Sequence, residues 1–321
     1  MCIRVFIATV VIVAGLARPA LPVIAQQPRA GPNTNQRTPE ATAQLSGGGV
    51  LGHAIRLLET RGSISARVRQ QIDLFGKQLV GAGTYLEQRS GASLRFRLEL
   101  KIQLGDEAST LLEVCDGQYL WRYQRFHDEG KLSKIDVQRV LKVLEEAGQL
   151  GRLDTVDQWP ALGGLARLLR GLYANFDFHQ AEPLQLSGGG LGESPGTVPF
   201  LVWKLRGQWK PGKLADLLPD RAEDIRSGKP VDLAGLPSPL PEAVVIYLAR
   251  DDLFPHRLEF YRSPPEKPGQ GRGAPQPVVT IEFIQLNVNV PIDPSRFLYN
   301  PGNLDCLDQT ADFLRKLGIE E

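Results

Sequence analysis

Four histidines, an aspartate pair, three cysteines and a short glycine cluster are the residues of this 321-residue chain whose types could do chemistry. His53, His127, His179 and His256 stand one to an element, with no i, i+4 pair and no cysteine at zinc spacing, so they supply no metal-ligand set. Asp251-Asp252 would suit paired-acid chemistry, but it lies between two strand patterns, where adjacent aspartates make a hairpin turn. Gly47, Gly49 and Gly52 fit G-x-G-x-x-G, yet a polar, proline-bearing stretch precedes them where a dinucleotide site needs a strand. The phosphate-loop, H-E-x-x-H and G-x-S-x-G patterns do not occur. Catalysis has no anchor in these spacings. The expectation is a protein that is not an enzyme and uses neither cofactor nor metal.

The amino terminus points to a compartment. Arg4 is a small positive n-region, Val5 to Leu16 form an apolar core, and Arg18, Pro19 and Pro22 break the run before the small-residue site Val23-Ile24-Ala25. The core falls short of the roughly 18 to 20 residues that span a bilayer, so residues 1–25 read as a cleaved signal peptide and the mature chain as exported to the periplasm or an equivalent space. Cys2 precedes the apolar core and is not a lipid-bearing cysteine. Loss of Arg4 and Arg18 leaves 35 basic against 36 acidic residues, a net charge of −1. So balanced a chain gives no electrostatic argument for nucleic acid or for an anionic membrane. Two cysteines remain, Cys115 and Cys306; in an oxidising space they are a candidate disulfide, with two reduced buried thiols as the alternative.

Residues 26–47 are rich in Gln, Pro, Asn, Thr and Gly and have almost nothing apolar to bury, which predicts a disordered leader. No later low-complexity break is long enough to separate two cores, so residues 48–321 read as one domain. Apolar spacing predicts helices over 51–59 and, from Ile64, Val68, Ile72, Phe75 and Leu79, over 64–79. Strand patterns follow over 83–88, 94–104, 109–114, 118–125 and 131–137. Helices are predicted over 137–147 and over 162–172, where Leu165, Leu168, Leu169 and Leu172 share a face. Strands resume over 176–181, 198–208, 244–250, 257–262 and 278–290. In the last of these Val279, Ile281 and Phe283 hold one parity and Ile284, Leu286 and Val288 the other, which predicts a bulge that bends the sheet.

The segment 94–104 alternates without a slip. Leu94, Phe96, Leu98, Leu100, Ile102 and Leu104 fall on one face; Arg95, Arg97, Glu99, Lys101 and Gln103 fall on the other. So long a one-sided strand predicts an α+β fold built on a large, curved antiparallel sheet whose apolar face is covered by helices, a second sheet or an apolar ligand. The tryptophans Trp121, Trp159, Trp203 and Trp209 read first as core bulk, with the lining of an apolar cavity as the sharper reading.

Two segments resemble a known family. Cys115-Asp116-Gly117-Gln118-Tyr119-Leu120-Trp121-Arg122-Tyr123 is similar to the D-G-x-x-L-W-x-Y hairpin of the periplasmic lipoprotein-carrier (LolA/LolB-like) superfamily. The tail from Asn289 to Asp308, with Ile292-Asp293, Phe297, Pro301-Gly302, Asp305 and Asp308, resembles that family's closing segment. The resemblance spans most of residues 50–310. It implies an unclosed β-barrel whose apolar concave face is lidded by helices and holds acyl chains. It also implies that Cys115 and Cys306 lie near one rim of the sheet, where a disulfide is expected. The family's Arg-Pro step, whose arginine helps latch the lid, has no counterpart here, so neither Arg95 nor Arg97 inherits that role.

The function expected is that of an exported carrier of lipid or other apolar ligands, lipoprotein acyl chains included, delivering to an envelope protein partner and not to nucleic acid. Its cavity residues would be Phe96, Leu98, Leu100, Ile102, Trp121, Leu165 and Leu169. The competing expectations are an envelope structural or sensory module with a self-filled cavity, and a hydrolase with a non-contiguous site.

Overall fold

The computed structural model describes residues 45–319 except 75–76, 92, 105–106, 127–128, 149–163, 187–198, 238–239 and 265–272. Residues 1–25, expected as a signal peptide, residues 26–44 of the expected leader, Trp159, His127 and most of the two Gly/Pro-rich inserts lie outside these. In chain order the elements are α1 (Gly47–Thr60), β1 (Ser63–Leu74), β2 (Lys77–Ser90), β3 (Ser93–Leu104), β4 (Glu107–Cys115), β5 (Tyr119–Phe126), β6 (Glu129–Asp136), α2 (Val137–Glu146), α3 (Gly164–Asn175), β7 (Phe176–Leu186) and β8 (Phe200–Trp209). Then come α4 (Pro211–Leu217), α5 (Ala222–Arg226), β9 (Ala243–Ala249), β10 (Pro255–Arg262), β11 (Gln276–Val288), β12 (Cys306–Asp308) and α6 (Thr310–Lys316).

All twelve strands form one sheet in the order β12-β6-β5-β4-β3-β2-β1-β11-β10-β9-β8-β7. Every neighbouring pair is antiparallel except β12 with β6, and the end strands β12 and β7 do not meet. The fold is therefore α+β with an unclosed barrel. Direct partners in an antiparallel pair share a face, so the register sorts every side chain into inner or outer. Ile64, Ala66, Val68 and Ile72 of β1 face inward, with Tyr85 of β2, Phe96, Leu98, Leu100 and Ile102 of β3, and Leu258, Ile281 and Phe283 beyond β1. These residues join Leu51, Leu58, Val140, Leu144, Leu165, Leu169, Phe313 and Leu314 from the helices in one continuous buried core. The helices lie over the concave face, each giving its apolar stripe to it.

Residues 64–74 and 77–79 are not helical but belong to β1 and the start of β2. Ile64, Val68 and Ile72 recur every four residues, a spacing that is close to the helical period and also an even number, so both elements place them on one face. The polar Arg67, Arg69 and Gln71 on the opposite parity agree with the strand. The bulge expected in the last strand is present. Between Ser65 and Arg67 the partner jumps from Asn287 to Ile284, and Gln285 takes the left-handed region at φ 53°.

The expected disulfide is absent, because both cysteines are free thiols. Cys115 lies on the inner face of β4, and Cys306 stands beside Leu132 on the far side of β6. Three strand spacings, roughly 14 Å, separate their strands, and a disulfide needs Cα atoms within about 7 Å. The short β12, which enters parallel to β6, is what carries Cys306 beyond the hairpin rim.

Candidate ligand-binding trough

Strand β3 forms the floor of the concave face. Leu98 is flanked by Tyr85 and Glu113, Leu100 by Gly83 and Leu111, and Ile102 by Gly81 and Ser109. Phe96, Leu98, Leu100 and Ile102 are buried, and so are Leu165 and Leu169 of α3 above them. Tyr85 meets Phe96 and Phe283 edge-on at ring separations of 5.5 and 5.7 Å. Each such side chain withdrawn from water is worth about 1.5–3 kcal/mol, so the trough and its cover make a substantial share of the core. Six of the seven residues picked from the sequence thus meet in one place. Trp121 does not. It pairs with Val114 and Lys134, on the parity of Arg97, and therefore faces outward, where its ring lies against Tyr119 and Tyr299 at 5.8 and 5.7 Å. The strand's inward residue at that turn is Leu120, fully buried beside Cys115.

The lid helix α3 is fastened at its first turn by a group that the hydrophobic pattern hides. Glu87 of β2 points inward, 2 % exposed, and accepts a hydrogen bond from the Leu165 N–H at 3.0 Å. Leu165 is the second residue of α3, so the carboxylate occupies the helix's N-terminal end, where backbone N–H groups lack helical partners and the macrodipole favours an anion. Tyr85 donates its phenol to the same carboxylate, and Arg89 pairs with it at 2.8 Å. Burial first, then the neighbouring Glu87 charge, holds the Tyr85 phenol well above its ordinary range, so it stays a donor. Gly164 has φ +67°, and a Cβ there would collide with the Glu87 carboxylate, so only glycine lets the helix start against it. Arg170 of α3 also pairs with Glu59 of α1, which ties the two covering helices together.

From β3 toward β6 the inner face changes character. Leu98 leads across to Glu113, Arg122 and Ser133, and Leu100 leads to Leu111, Gln124 and Lys131. Glu113 is buried and pairs with Arg122 at 2.7 Å. Here a pocket of about 550 Å3 opens, lined by Arg122, Gln124, Lys131, Ser133 and Gln309 with the short strand β12 as one wall. Deeper in the trough Gln70 is 1 % exposed, and among the described residues neither of its side-chain polar atoms has a partner. The arrangement is an apolar floor with a polar end, which suits an elongated amphiphile; among the described residues no group of three or more His, Cys, Asp or Glu gathers to hold a metal.

Sequence reasoning missed Glu87, Glu113 and Gly164. No alternation singled out the two glutamates, because β2 and β4 carry apolar residues on both parities, with Val80 and Leu86 of β2 and Leu112 and Val114 of β4 facing outward. What they bond to lies 78 residues away for Glu87 and across a hairpin for Glu113, distances that no local pattern spans.

No family model matches the chain, and none of the curated proteins matches it. Solved structures with a similar arrangement include a DUF1329 family protein from Desulfovibrio piger, 12% identical, TM-score 0.32, covering 79% of this chain and 96% of that one. The lipoprotein LppX of Mycobacterium tuberculosis is 10% identical, TM-score 0.33, over 77% of this chain and 97% of that one. The MucA/MucB complex of Pseudomonas aeruginosa is 11% identical, TM-score 0.36, over 79% of this chain but only 61% of that one. The assignment as an unclosed barrel rests on the strand order and register of the chain itself, which none of these likenesses is needed to establish.

Proposed function

We propose that this protein is an exported carrier of lipids or other acyl-chain ligands, with the inner face of β2–β4 as the trough and α3 as its movable lid. One observation carries the reading: α3 is held down at its first turn by a buried carboxylate, Glu87, in addition to apolar packing. A permanent core has little to gain from such a group, since replacing buried ion pairs by well-packed apolar residues is often neutral or stabilising. A lid that must open does gain, because Glu87, Tyr85 and Arg89 recover their hydration when α3 leaves. Phe96, Leu98, Leu100, Ile102, Leu165 and Leu169 are then the residues that exchange contacts with the chain, at about 0.8 kcal/mol per CH2 buried. The pocket beside Arg122 and Lys131 would take the polar head. An envelope protein would receive the cargo.

The test is titration with a fluorescent fatty-acyl probe. Glu87→Gln, which keeps the side chain's size and removes its charge, should speed probe uptake. Leu100→Phe should weaken long chains more than short ones. A second reading, a structural or sensory envelope module, is favoured by one specific observation: the same six residues are already buried among the protein's own side chains. A folded wild type that takes up no probe decides for that module.

A further inference from the structure

We infer that the outer face of strands β1–β6 is a docking surface for an anionic phospholipid membrane. The register aligns Arg69, Ala82, Lys101, Thr110 and Arg125 in one cross-strand row, so a cation stands on every second strand with a small side chain between. Arg67 tops the row on β1. Arg95, Arg97 and Lys134 bring the basic positions of this face to seven, against Asp73, Glu99 and Asp136, while from the flanking strands Glu282 lies 3.9 Å from Arg69 and Asp308 3.7 Å from Lys134. Two of those three acids are already engaged, Glu99 with Arg97 and Asp136 as the cap of α2. The matching outer face of β7–β11 is balanced, with Lys204, Arg206 and Arg257 against Asp177, Glu182, Glu259 and Glu282.

Cations two strands apart are separated by roughly 10 Å, about one Debye length at 0.1 M salt, so they act on a nearby surface as one field. Residues 292–299 cross this face near Gln88, Arg97 and Trp121. Away from that crossing Arg67, Lys101 and Arg125 are exposed, and so is Val80, at 45%, on the same face. Ala82 and Thr110 keep the ground between Arg69, Lys101 and Arg125 low, so a surface of phosphates can reach the exposed cations of the row together. A chain whose total charge is balanced thus has a predominantly basic side.

The experiment is co-sedimentation of the full chain, as its host processes it, with vesicles of phosphatidylglycerol and phosphatidylcholine or of phosphatidylcholine alone. Binding is expected only to the anionic vesicles and should fall as salt rises. The Arg67→Glu/Lys101→Glu double variant should lose about 25-fold or more in binding, at about fivefold per cation near the surface. Arg206→Glu, on the other half of the sheet, should bind as the wild type does. Thermal unfolding of each variant establishes that it is folded. Equal binding to neutral vesicles, unchanged binding of the folded double variant, or equal loss in Arg206→Glu would overturn the inference. So would a wild type that sediments with neither vesicle, the result expected if this face meets an acidic protein instead.

Discussion

On the outer face of β9–β11 the acids are buried and joined to neighbouring phenols and an arginine, while on the outer face of β1–β6 Arg67, Lys101 and Arg125 are exposed and the other charged groups are half-buried. Glu259 accepts hydrogen bonds from Tyr247 at 3.0 Å and Tyr261 at 2.8 Å, and Arg257 pairs with Glu282 at 2.8 Å. Burial, with Glu259 alongside, raises both phenols, Tyr261 to about 12, so they remain donors across the working pH range. Arg69 lies at the seam, 3.9 Å from Glu282. On the β1–β6 side the register places Ala82 and Thr110, not acids, next to Lys101. The same sheet geometry thus yields a closed network where signs alternate across strands and an open cationic field where neutral residues intervene. What neighbours a charge, more than how many charges there are, decides whether a sheet face is self-satisfied or available.

The largest expected effects test whether the two halves share one core. Leu100→Ala on the trough floor and Leu258→Ala under β10 should each cost about 2–5 kcal/mol by urea unfolding, because both side chains are fully buried in the same cluster. A much smaller cost at Leu100 would split the core and give the trough a looser packing of its own. Next, Glu259→Ala should cost about 1.5–3 kcal/mol, since two phenols and a guanidinium lose a buried charged partner. Glu99→Ala, which removes a half-buried partner of Arg97, should stay within about 0.5 kcal/mol. Equal costs would erase the contrast between the two outer faces.

Thiol labelling separates core from rim inside the β1–β6 half. Cys306 should label in the native protein. Cys115, whose thiol burial pushes up to about 11, should label only on unfolding, as peptide mass spectrometry would show. Rapid native labelling of Cys115 would mean that the trough opens often. The smallest effect belongs to His256, packed against Phe200 and Phe254 in the other half. Burial holds its folded pKa below the ordinary value of 6.5. The unfolded chain therefore binds more protons there, so stability from the neutral ring is complete above about pH 6.5 and is lost as pH falls toward the folded pKa. His256→Phe should flatten that slope in acid unfolding curves, and an unchanged slope would remove His256 from the account.

Most strands were legible because a period of two needs only local sequence. The 94–104 alternation named the four inward residues of β3, and the phase change in the last strand named its bulge. Residues 64–79 misled because a four-residue recurrence fits both periods, and only the pairing of β1 with β2 and β11 separates them. Trp121 was placed inward on its bulk, although its own parity with Arg97 across β4 puts it outside. The short helices α4, α5 and α6, at seven, five and seven residues, carry too few turns for a periodic signal.

The sequence by itself determined which face each side chain of a regular strand takes, since alternation is a property of the extended backbone. It also determined the lack of catalytic spacings. Only the tertiary structure decided who stands beside whom. It brought Glu87 to the first turn of a helix 78 residues on, parted Cys115 from Cys306 by three strands, and lined Arg69, Lys101 and Arg125 up in one row. The physical reason is that parity is local, whereas register follows from turns, bulges and core packing summed over the whole sheet.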